Sequence, residues 1–375
     1  MVTAETLPLP TAPMLPEGLD TPALVIDLDI VERNARRMAE SVAERGIALR
    51  PHVKTHKSVA LARIQLDAGA VGVTVGTLGE AEVMAEGGVT DILLAYPIWV
   101  DDPKAARLRA VHEREAVRLT VGIDSAAGAE RLAAAVAGSA KPLGVMIEVD
   151  PHYQRTGVDP ALAGELGTHA ARLGLEVRGV FTHGGHAYRG RDMVDGAAND
   201  ELEAVTVARD ALAAAGFENL TLSAGSTPTA LLDLIAPVNE VRPGTYLIND
   251  RIELYMGACA PDEIAMAVAA TVVSDNIPGK FVINAGAKSL TKDMPPYLTG
   301  FGMIPAYPDG VIERVSDYHG EVRLPDGAES PRLGDVVAVV PNHACPVIDL
   351  YDTFVATRSG KLIGEWPIDA RGRRG

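Results

Sequence analysis

The chain has 375 residues, with 34 basic and 50 acidic side chains and a net charge of −16. This length fits one large domain plus a smaller one, and the acidic balance argues against nucleic acid or an anionic membrane as the main partner. The two cysteines indicate no disulfide framework, and no apolar run is long enough to span a bilayer. We therefore expect a cytoplasmic globular protein with no nucleic-acid or membrane partner.

The chain begins with a proline-rich arm, residues 1–22, which lacks the basic start and apolar core of a signal peptide. The segment ALVIDLD, residues 23–29, is typical of a β-strand. We expect this strand to join a β-rich domain formed by residues 256–375, where β-like segments are separated by turns such as PDG and IPGK.

Eight short apolar segments alternate with longer segments of helical period, such as SVALARIQLDAG and AGAERLAAAVAG. This rhythm predicts an α/β fold with a (β/α)8, TIM-type barrel within residues 23–255. A doubly wound sheet is the alternative, but no G-x-G-x-x-G motif follows the first strand. The predicted barrel strands are residues 48–54, 72–77, 91–96, 118–124, 143–150, 177–183, 219–225 and 241–248.

The first of these strands contains RPHVKTHK, in which alternation places Arg50, His52 and Lys54 on one face. Charged side chains inside a barrel are costly unless they are used, and Lys54 falls at the strand end where barrel active sites are built. Neighbouring cations and desolvation lower the pKa of a lysine, which suits a Schiff-base amine. A solvated basic loop is the alternative, and Lys57 in the following loop is the weaker candidate.

Small residues follow the seventh and eighth predicted strands, in SAGSTPTA and RPGTY. They present Gly225, Ser226, Gly244 and Thr245 where such barrels usually bind phosphate, with a helix expected to begin at Thr227 or Thr229. Each segment alone is also common in ordinary turns. Combined with a lysine on the first strand, they indicate pyridoxal phosphate, an aldehyde cofactor that carries a phosphate group.

The fifth and sixth predicted strands end in EVDPHYQRTG and THGGHAY. His183, His186 and Tyr188 are expected at the barrel mouth near the cofactor ring, with a loop-capping role as the alternative. Arg155 is expected to reach the phenolate oxygen of the cofactor or, alternatively, to form a surface salt bridge.

The β-rich segment contains His343 and Cys345 two positions apart in PNHACP. A His-x-Cys pair can ligate a divalent metal; zinc is favoured by this nitrogen and sulfur set, with manganese, cobalt or magnesium as alternatives. A buried, unreactive thiol is the alternative for Cys345. Cys259 has no such neighbour, and we expect it in the core.

Taken together, seven segments resemble the D-serine dehydratase and D-threonine aldolase family of alanine-racemase-like, fold-type III pyridoxal-phosphate enzymes. The resemblance covers nearly the whole chain and rests on DTPALVIDLD, RPHVKTHK, SAGSTPT, RPGTY, NAGAKSLTKD, DYHGEVRL and PNHACP. It implies a homodimer in which Lys54 is the Schiff-base lysine, His343 and Cys345 are the metal ligands, and further residues hold the cofactor. Those predicted cofactor contacts are His52, Arg155, His183, Tyr188, Gly225, Ser226, Gly244 and Thr245.

The resemblance implies a lyase that acts on D-β-hydroxy amino acids. Dehydratase members resemble this chain in having His-x-Cys, whereas aldolases typically have His-x-Asp, so dehydration of D-serine or D-threonine to a 2-oxo acid and ammonia is expected. Retro-aldol cleavage to glycine and an aldehyde is the first alternative, and a non-catalytic pyridoxal-phosphate-binding protein is the second. Racemisation is disfavoured by the metal pair. No role follows for Arg242, which related racemases place against the pyridine nitrogen, or for Asn284, where the family frequently has aspartate.

Overall fold

The structure is a computed structural model that describes residues 9–232 and 237–375. The chain divides into two compact units, which we call the barrel unit and the β unit. The barrel unit comprises Arg36–Gly244 and Gly372–Gly375, and the β unit comprises the residues up to Ala35 together with Thr245–Arg371. In the described ranges, no helix is both long and apolar enough to cross a membrane.

In the described part of the barrel unit, eight parallel strands form one sheet in the order β2-β9-β8-β7-β6-β5-β4-β3. A parallel bridge between His52 and Thr74 joins the two ends of this order, so the sheet closes on itself. Inward and outward faces are both covered, which explains the continuous β-branched and aliphatic runs of these strands. The strands are β2 (Ala48–Leu49), β3 (Val73–Val75), β4 (Asp91–Leu94), β5 (Arg118–Ile123), β6 (Gly144–Glu148), β7 (Glu176–Phe181), β8 (Thr221–Ala224) and β9 (Glu240–Val241).

The helices between these strands begin at the positions that the sequence favours. Thr77, Asp101 and Ser125 each accept a hydrogen bond from the backbone N–H three residues later, so they cap the helices that follow β3, β4 and β5. The helices are α1 (Leu28–Ala43), α2 (Val59–Asp67), α3 (Leu78–Glu86), α4 (Asp102–His112), α5 (Ala126–Ala135), α6 (Ala163–Arg172) and α7 (Val194–Ala214).

The β unit contains a mixed, mostly antiparallel sheet. Its main path runs β12-β13-β11-β10-β1-β15-β16, and β14 pairs with β10 outside this path. The strand predicted at residues 23–29 is present as β1, which pairs antiparallel with β10 and parallel with β15. The strands are β1 (Ala23–Asp27), β10 (Met266–Ser274), β11 (Lys280–Ile283), β12 (Val311–Val315), β13 (Gly320–Arg323), β14 (Val336–Val339), β15 (Thr353–Arg358) and β16 (Lys361–Pro367). Three short helices complete this unit: α8 (Arg251–Met256), α9 (Ala287–Leu290) and α10 (Ala344–Ile348).

The predicted barrel and β-rich domain are therefore confirmed, but the strands are shorter than expected. The strand predicted for residues 48–54 ends at Leu49, and Lys54 lies on a 3-10 turn, Val53–Thr55. Pro51 has no N–H to donate to the neighbouring strand. The last backbone hydrogen bond on this side of the segment runs from His52 N to Pro243 O (3.0 Å). The strand predicted for residues 241–248 likewise ends at Val241.

Two sequence expectations fall partly outside the described residues. The proline-rich arm includes residues 1–8, and the helix expected to begin at Thr227 or Thr229 includes residues 233–236. Residues 227–232 form turns. Asn284 does have a clear role in the β unit: its side chain accepts from Thr271 N (2.8 Å) and donates to the carbonyl and hydroxyl oxygens of Thr21, both at 3.0 Å.

Candidate functional site

The first candidate site belongs to the barrel unit, and we call it the lysine site; its members are Lys54, His52, Tyr96, Arg155 and His183. The Lys54 amine donates a hydrogen bond to the Tyr96 hydroxyl at 3.1 Å. Burial alone would raise the pKa of Tyr96, but the positive charge and hydrogen bond of Lys54, together with Arg155, lower it. Because Tyr96 stands just after β4, the lysine amine is held at the carboxyl ends of the barrel strands.

The two histidines of the lysine site are neutral at physiological pH. Burial removes solvation from each imidazolium, and the nearby charges of Lys54 and Arg242 add to this effect, so the pKa values of His52 and His183 lie well below the usual range. His52 Nδ1 accepts a hydrogen bond from the backbone N–H of Lys54 at 3.4 Å. His52 Nε2 is buried without a hydrogen-bond partner among the described residues. It is therefore an uncharged group with a position left for a ligand.

Arg155 is an exposed residue that forms a salt bridge with the buried Glu148, so its salt-bridge alternative is present in part. Its guanidinium lies 3.6 Å from Glu148 and over the rings of Tyr96 (5.2 Å) and Tyr153 (5.5 Å). Burial raises the pKa of Glu148, although a hydrogen bond from Thr156 (2.8 Å) and the charge of Arg155 oppose this shift. Arg155 is thus held at the end of β6 as a cation that faces aromatic rings.

The other charged residues of the RPHVKTHK segment have structural partners. Arg50 forms ion pairs with Asp91 (2.8 Å) and Glu240 (2.7 Å), and Lys57 pairs with Glu80 at 3.0 Å. Arg50, Lys57, Glu80 and Glu240 are buried and Asp91 is partly buried, so the charges are compensated within the barrel. The cationic face expected on this strand is therefore divided between structural ion pairs and the lysine site.

The loop after β7 contains the remaining ring candidates. His186 Nε2 donates a hydrogen bond to Asp200 Oδ2 at 2.9 Å, and its ring centroid lies 6.0 Å from that of Tyr153. His183 meets the same tyrosine edge to face at 6.1 Å. Tyr188 is half-buried on the 3-10 turn Gly185–Arg189. Tyr153 therefore contacts two members of the lysine site, His183 and Arg155, and connects His186 to them.

The glycines of the predicted phosphate site lie where a side chain would not fit. A Cβ on Gly244 would approach Thr55 Oγ1 to 2.8 Å and the carbonyl oxygen of His52 to 3.0 Å. Gly225 has φ +84°, the left-handed region that favours glycine. The Ser226 N–H donates to Thr229 Oγ1 at 2.8 Å. In the barrel unit, the backbone after β8 and β9 is thus packed closely against neighbouring protein atoms.

Arg242 is buried beside this loop and is held by the barrel itself. Its guanidinium donates to the Ser223 hydroxyl and to the Thr182 carbonyl, and lies 5.3 Å from the Phe181 ring. Burial lowers its pKa despite the opposing charges of Glu240 and neighbouring acids. Thr245, predicted beside Gly244, begins a 3-10 turn and belongs to the β unit.

The second candidate site belongs to the β unit, and we call it the His343 site; its members are His343, Cys345, Asp293 and Asp250. His343 stands at the start of α10, and its Nδ1 lies 2.6 Å from Asp293 Oδ2. The next residue, Ala344, donates its N–H to buried Asp250 at 2.7 Å. These two acids fix both the backbone and the ring at this position.

Charge and hydrogen bonding decide the protonation of the His343 site. Burial by itself would lower the pKa of His343, but hydrogen bonds with Asp293 and Cys345 and the charge of Asp250 raise it to about 11. Burial raises the pKa of Asp250, against the opposing charge of His343. Over residues 9–232 and 237–375, no three histidine, cysteine or acidic side chains form a ready-made metal cluster. The possible metal ligands of the His343 site are therefore the His343 imidazole and the Cys345 thiol, and Asp293 hydrogen bonds to the imidazole.

Sequence reasoning did not identify Tyr96, Glu148, Asp250 or Asp293. Tyr96 and Glu148 stand at the ends of predicted strands, which is the position that singled out Lys54, so the same criterion could have found them. Asp250 and Asp293 carry no local signal, because they meet His343 only through contacts between residues distant in sequence.

Comparison with known proteins places these observations in a family. Residues 26–251 match the family described as "Alanine racemase, N-terminal domain", and residues 265–357 match the one described as "Putative serine dehydratase domain". D-threo-3-hydroxyaspartate dehydratase from Delftia sp. (strain HT23) is 34% identical over 371 residues, which cover 93% of this chain and 97% of that protein.

Solved structures give the same result. D-threonine aldolase from Filomicrobium marinum has a TM-score of 0.88 and 30% identity, covering 98% of this chain and 100% of its own. A cysteine-to-alanine mutant of D-threo-3-hydroxyaspartate dehydratase, in the metal-free form, has a TM-score of 0.85 and 32% identity, covering 93% of this chain and 97% of that chain. Another solved mutant of the dehydratase replaces a histidine two positions before that cysteine. The chain therefore belongs to the alanine-racemase-like family of enzymes that includes D-serine dehydratases and D-threonine aldolases.

Proposed function

We propose that this protein is a lyase that uses pyridoxal phosphate and a divalent metal to convert D-β-hydroxy amino acids into 2-oxo acids and ammonia. The observation that carries the proposal is the Lys54 amine, held by Tyr96 at the carboxyl ends of the barrel strands beside two neutral histidines. The relatives named above as dehydratases and aldolases support it.

The barrel unit fits the cofactor in two respects. Gly225 and Gly244 let the loops after β8 and β9 run close to neighbouring protein atoms, where a Cβ on Gly244 would collide, and Ser226 supplies a hydroxyl next to Gly225. The orphaned Nε2 of buried His52 provides a polar position for a bound ring or its substituents. In this proposal, Lys54 would carry the cofactor, with Arg155 and His183 at its ring.

The β unit fits a divalent cation through the chemistry of its donors. Asp293 engages His343 Nδ1, so Nε2 is the nitrogen from which a metal would displace the proton, the usual arrangement behind a metal-ligating histidine. Cys345 adds a thiolate, and a nitrogen and sulfur pair favours zinc over hard cations. The histidine and cysteine mutants of the dehydratase, one of them in a metal-free form, have the same two-residue spacing.

When bound, pyridoxal phosphate supplies an electron sink for a carbanion at Cα, and the cation supplies a Lewis acid for a hydroxyl leaving group. Lys54 Nζ is the group that takes the Cα proton, and its hydrogen bond to the Tyr96 hydroxyl fixes the position of that amine. His52 and His183 add no positive charge beside the amine, because both are neutral. Arg155 remains the fixed cation of the lysine site.

Aldol cleavage is the second candidate function, favoured by the TM-score of 0.88 to a D-threonine aldolase over 98% of the chain. The two reactions share a cofactor and a metal, and they differ in whether the Cα–H or the Cα–Cβ bond breaks. We favour dehydration because position 345 is cysteine, as the dehydratase mutants suggest, whereas an aldolase-type pair has aspartate there.

The experiment incubates pyridoxal-phosphate-loaded protein with D-threo-3-hydroxyaspartate, D-serine and D-threonine, and with the L-enantiomers as controls. A 2-oxo acid with stoichiometric ammonia, lost on chelation and restored by zinc, is the result expected for the dehydratase. Formation of glycine and an aldehyde from D-threonine would show instead that the enzyme is an aldolase. A Lys54-dependent visible absorbance band without any product would instead support the non-catalytic binding protein.

Assembly and location belong to the same proposal. We infer a homodimer from the family resemblance and a cytoplasmic location from the two non-disulfide cysteines and the acidic composition. Sedimentation at micromolar concentration and fractionation of the host cell test these two statements, and a monomer or a secreted protein would contradict them.

A further inference from the structure

A glutamate outside the lysine site connects two of the loops that surround it. Glu201 lies on α7 and is 3% exposed. One carboxylate oxygen accepts the Gly184 N–H at 2.7 Å, and the other accepts the Thr229 hydroxyl at 2.9 Å. A buried carboxylate is expensive to retain unless its hydrogen bonds are used, and these two bonds reach the loops that follow β7 and β8.

The Thr229 contact continues to the predicted phosphate position. Thr229 Oγ1 gives its proton to Glu201, so it can only accept from other groups. It accepts the Ser226 N–H at 2.8 Å and lies 3.2 Å from the Ser226 hydroxyl oxygen. The backbone of Ser226 is therefore fixed through Thr229. The Ser226 hydroxyl donates its proton to the same Thr229 oxygen at 3.2 Å, and this longer bond is the one that it would exchange for a bond to a phosphate.

The Gly184 contact depends on close approach. A Cβ on Gly184 would lie 2.9 Å from Glu201 Cγ, so only glycine brings this backbone N–H onto the carboxylate. Both oxygens of Glu201 act as acceptors, and an amide in its place would keep only one acceptor. The chain thus relies on a carboxylate, and not merely on a polar group of this size, at this position.

We propose that Glu201 is a positioning residue for the cofactor phosphate, which it reaches through Thr229 and Ser226. It does not contact the phosphate itself; it holds the loop after β8 in the conformation in which Ser226 presents its hydroxyl. This inference rests on the proposed function, since it requires pyridoxal phosphate as the ligand of the barrel unit.

The test compares pyridoxal phosphate with pyridoxal, which has the same ring and aldehyde but no phosphate. Apoprotein is titrated with each compound, and binding is followed by the visible absorbance band and by tryptophan fluorescence. The variant Glu201→Gln keeps the shape of the side chain but loses an acceptor. The variant Thr229→Val removes the hydroxyl without a change of charge, and Thr229→Ser retains a hydroxyl at this position. Glu203→Gln, at an exposed position on the same helix, is the matched control.

Glu201→Gln and Thr229→Val are expected to weaken pyridoxal phosphate binding about tenfold, the effect of a lost hydrogen bond to a charged group. Pyridoxal binding to Thr229→Val should stay unchanged, and Thr229→Ser and Glu203→Gln should bind both compounds like the wild type. Three results would overturn the inference. The first is an unchanged affinity for pyridoxal phosphate in Glu201→Gln and Thr229→Val, and the second is an equal loss of affinity for both compounds in Thr229→Val. The third is tighter binding of pyridoxal phosphate in Glu201→Gln. If the wild type itself gives no Lys54-dependent band, the proposed function fails instead.

Discussion

The two lysines of the RPHVKTHK segment should respond in opposite ways to replacement by methionine, which removes the charge but keeps the length. Lys57→Met is expected to reduce the free energy of unfolding and to keep the cofactor absorbance band. Lys54→Met is expected to lose the band and to keep most of the stability. The reason is that Lys57 compensates a buried carboxylate, whereas Lys54 contacts the hydroxyl of Tyr96.

The size of the stability loss in Lys57→Met follows from the burial of the Lys57–Glu80 ion pair. Lys57 Nζ lies 3.0 Å from Glu80, and the two side chains are 10% and 3% exposed. Removal of one partner from a buried pair costs about 3–5 kcal/mol, because the other charge stays buried without compensation. Glu80 also accepts the Gly76 N–H at 2.7 Å, which continues to stabilise the carboxylate. We therefore expect a loss near the lower limit, about 3 kcal/mol.

The chain offers a matched control in Lys104, which pairs with Asp101 at 2.8 Å with the two side chains 33% and 47% exposed. Because solvent screens this pair, Lys104→Met should reduce the free energy of unfolding much less than Lys57→Met does. Urea unfolding of the apoproteins, followed by circular dichroism, measures both effects. The double variant Lys57→Met/Glu80→Gln should be more stable than Lys57→Met alone, since it removes the uncompensated charge.

Two results would refute this reasoning. Equal stability losses in Lys57→Met and Lys104→Met would mean that burial of the pair has no energetic consequence. Loss of the absorbance band in Lys57→Met, with the band kept in Lys54→Met, would mean that the assignment of the two lysines is reversed.

Three further predictions concern single contacts. Asp293→Asn should weaken zinc binding about 10–100-fold in a chelator-competition titration, because the carboxylate orients His343; an unchanged affinity would contradict this role. Asn284→Asp should lower the free energy of unfolding by about 1–3 kcal/mol in urea, because a carboxylate cannot donate to the two oxygens of Thr21; equal stability would argue against it. Burial lowers the pKa of His56 to about 4, so the unfolded chain binds a proton there first and stability should fall by about 3 kcal/mol between pH 6.5 and 4. His56→Asn should show a smaller fall over this window, and an identical pH profile would exclude His56 as the cause.

The sequence located the Lys54 amine well although it misassigned the local structure. Alternation along residues 48–54 predicted a strand face shared by Arg50, His52 and Lys54, but the strand ends before all three. The amine still reaches the strand ends, because the backbone of His52 stays bonded to the last strand. For locating the Lys54 amine, the place of its segment in the alternation of strands and helices was therefore more informative than the strand face on which each residue was expected.

The partners of these residues could not be predicted from spacing. Arg50 is charged like Lys54, and only its ion pairs with Asp91 and Glu240 show that its charge is structural. Asp293 lies 50 positions from His343, so no local pattern connects them. Periodicity reports which element a residue occupies, whereas ion pairs depend on which distant elements are packed together.

The position of β1 has a consequence for synthesis of the protein on the ribosome. β1 precedes every barrel strand in the chain, yet its neighbours in the sheet are β10 and β15, which follow them. Roughly 240 residues separate β1 from β10, so at about 5–20 residues per second the strand waits on the order of ten to fifty seconds for its first partner. During that time its unpaired backbone N–H and C=O groups are open to pairing with other chains. Nascent chains stalled before β10 should therefore be the species that chaperones retain, and an N-terminal truncation meant to isolate the barrel unit would leave β10 and β15 without their shared strand.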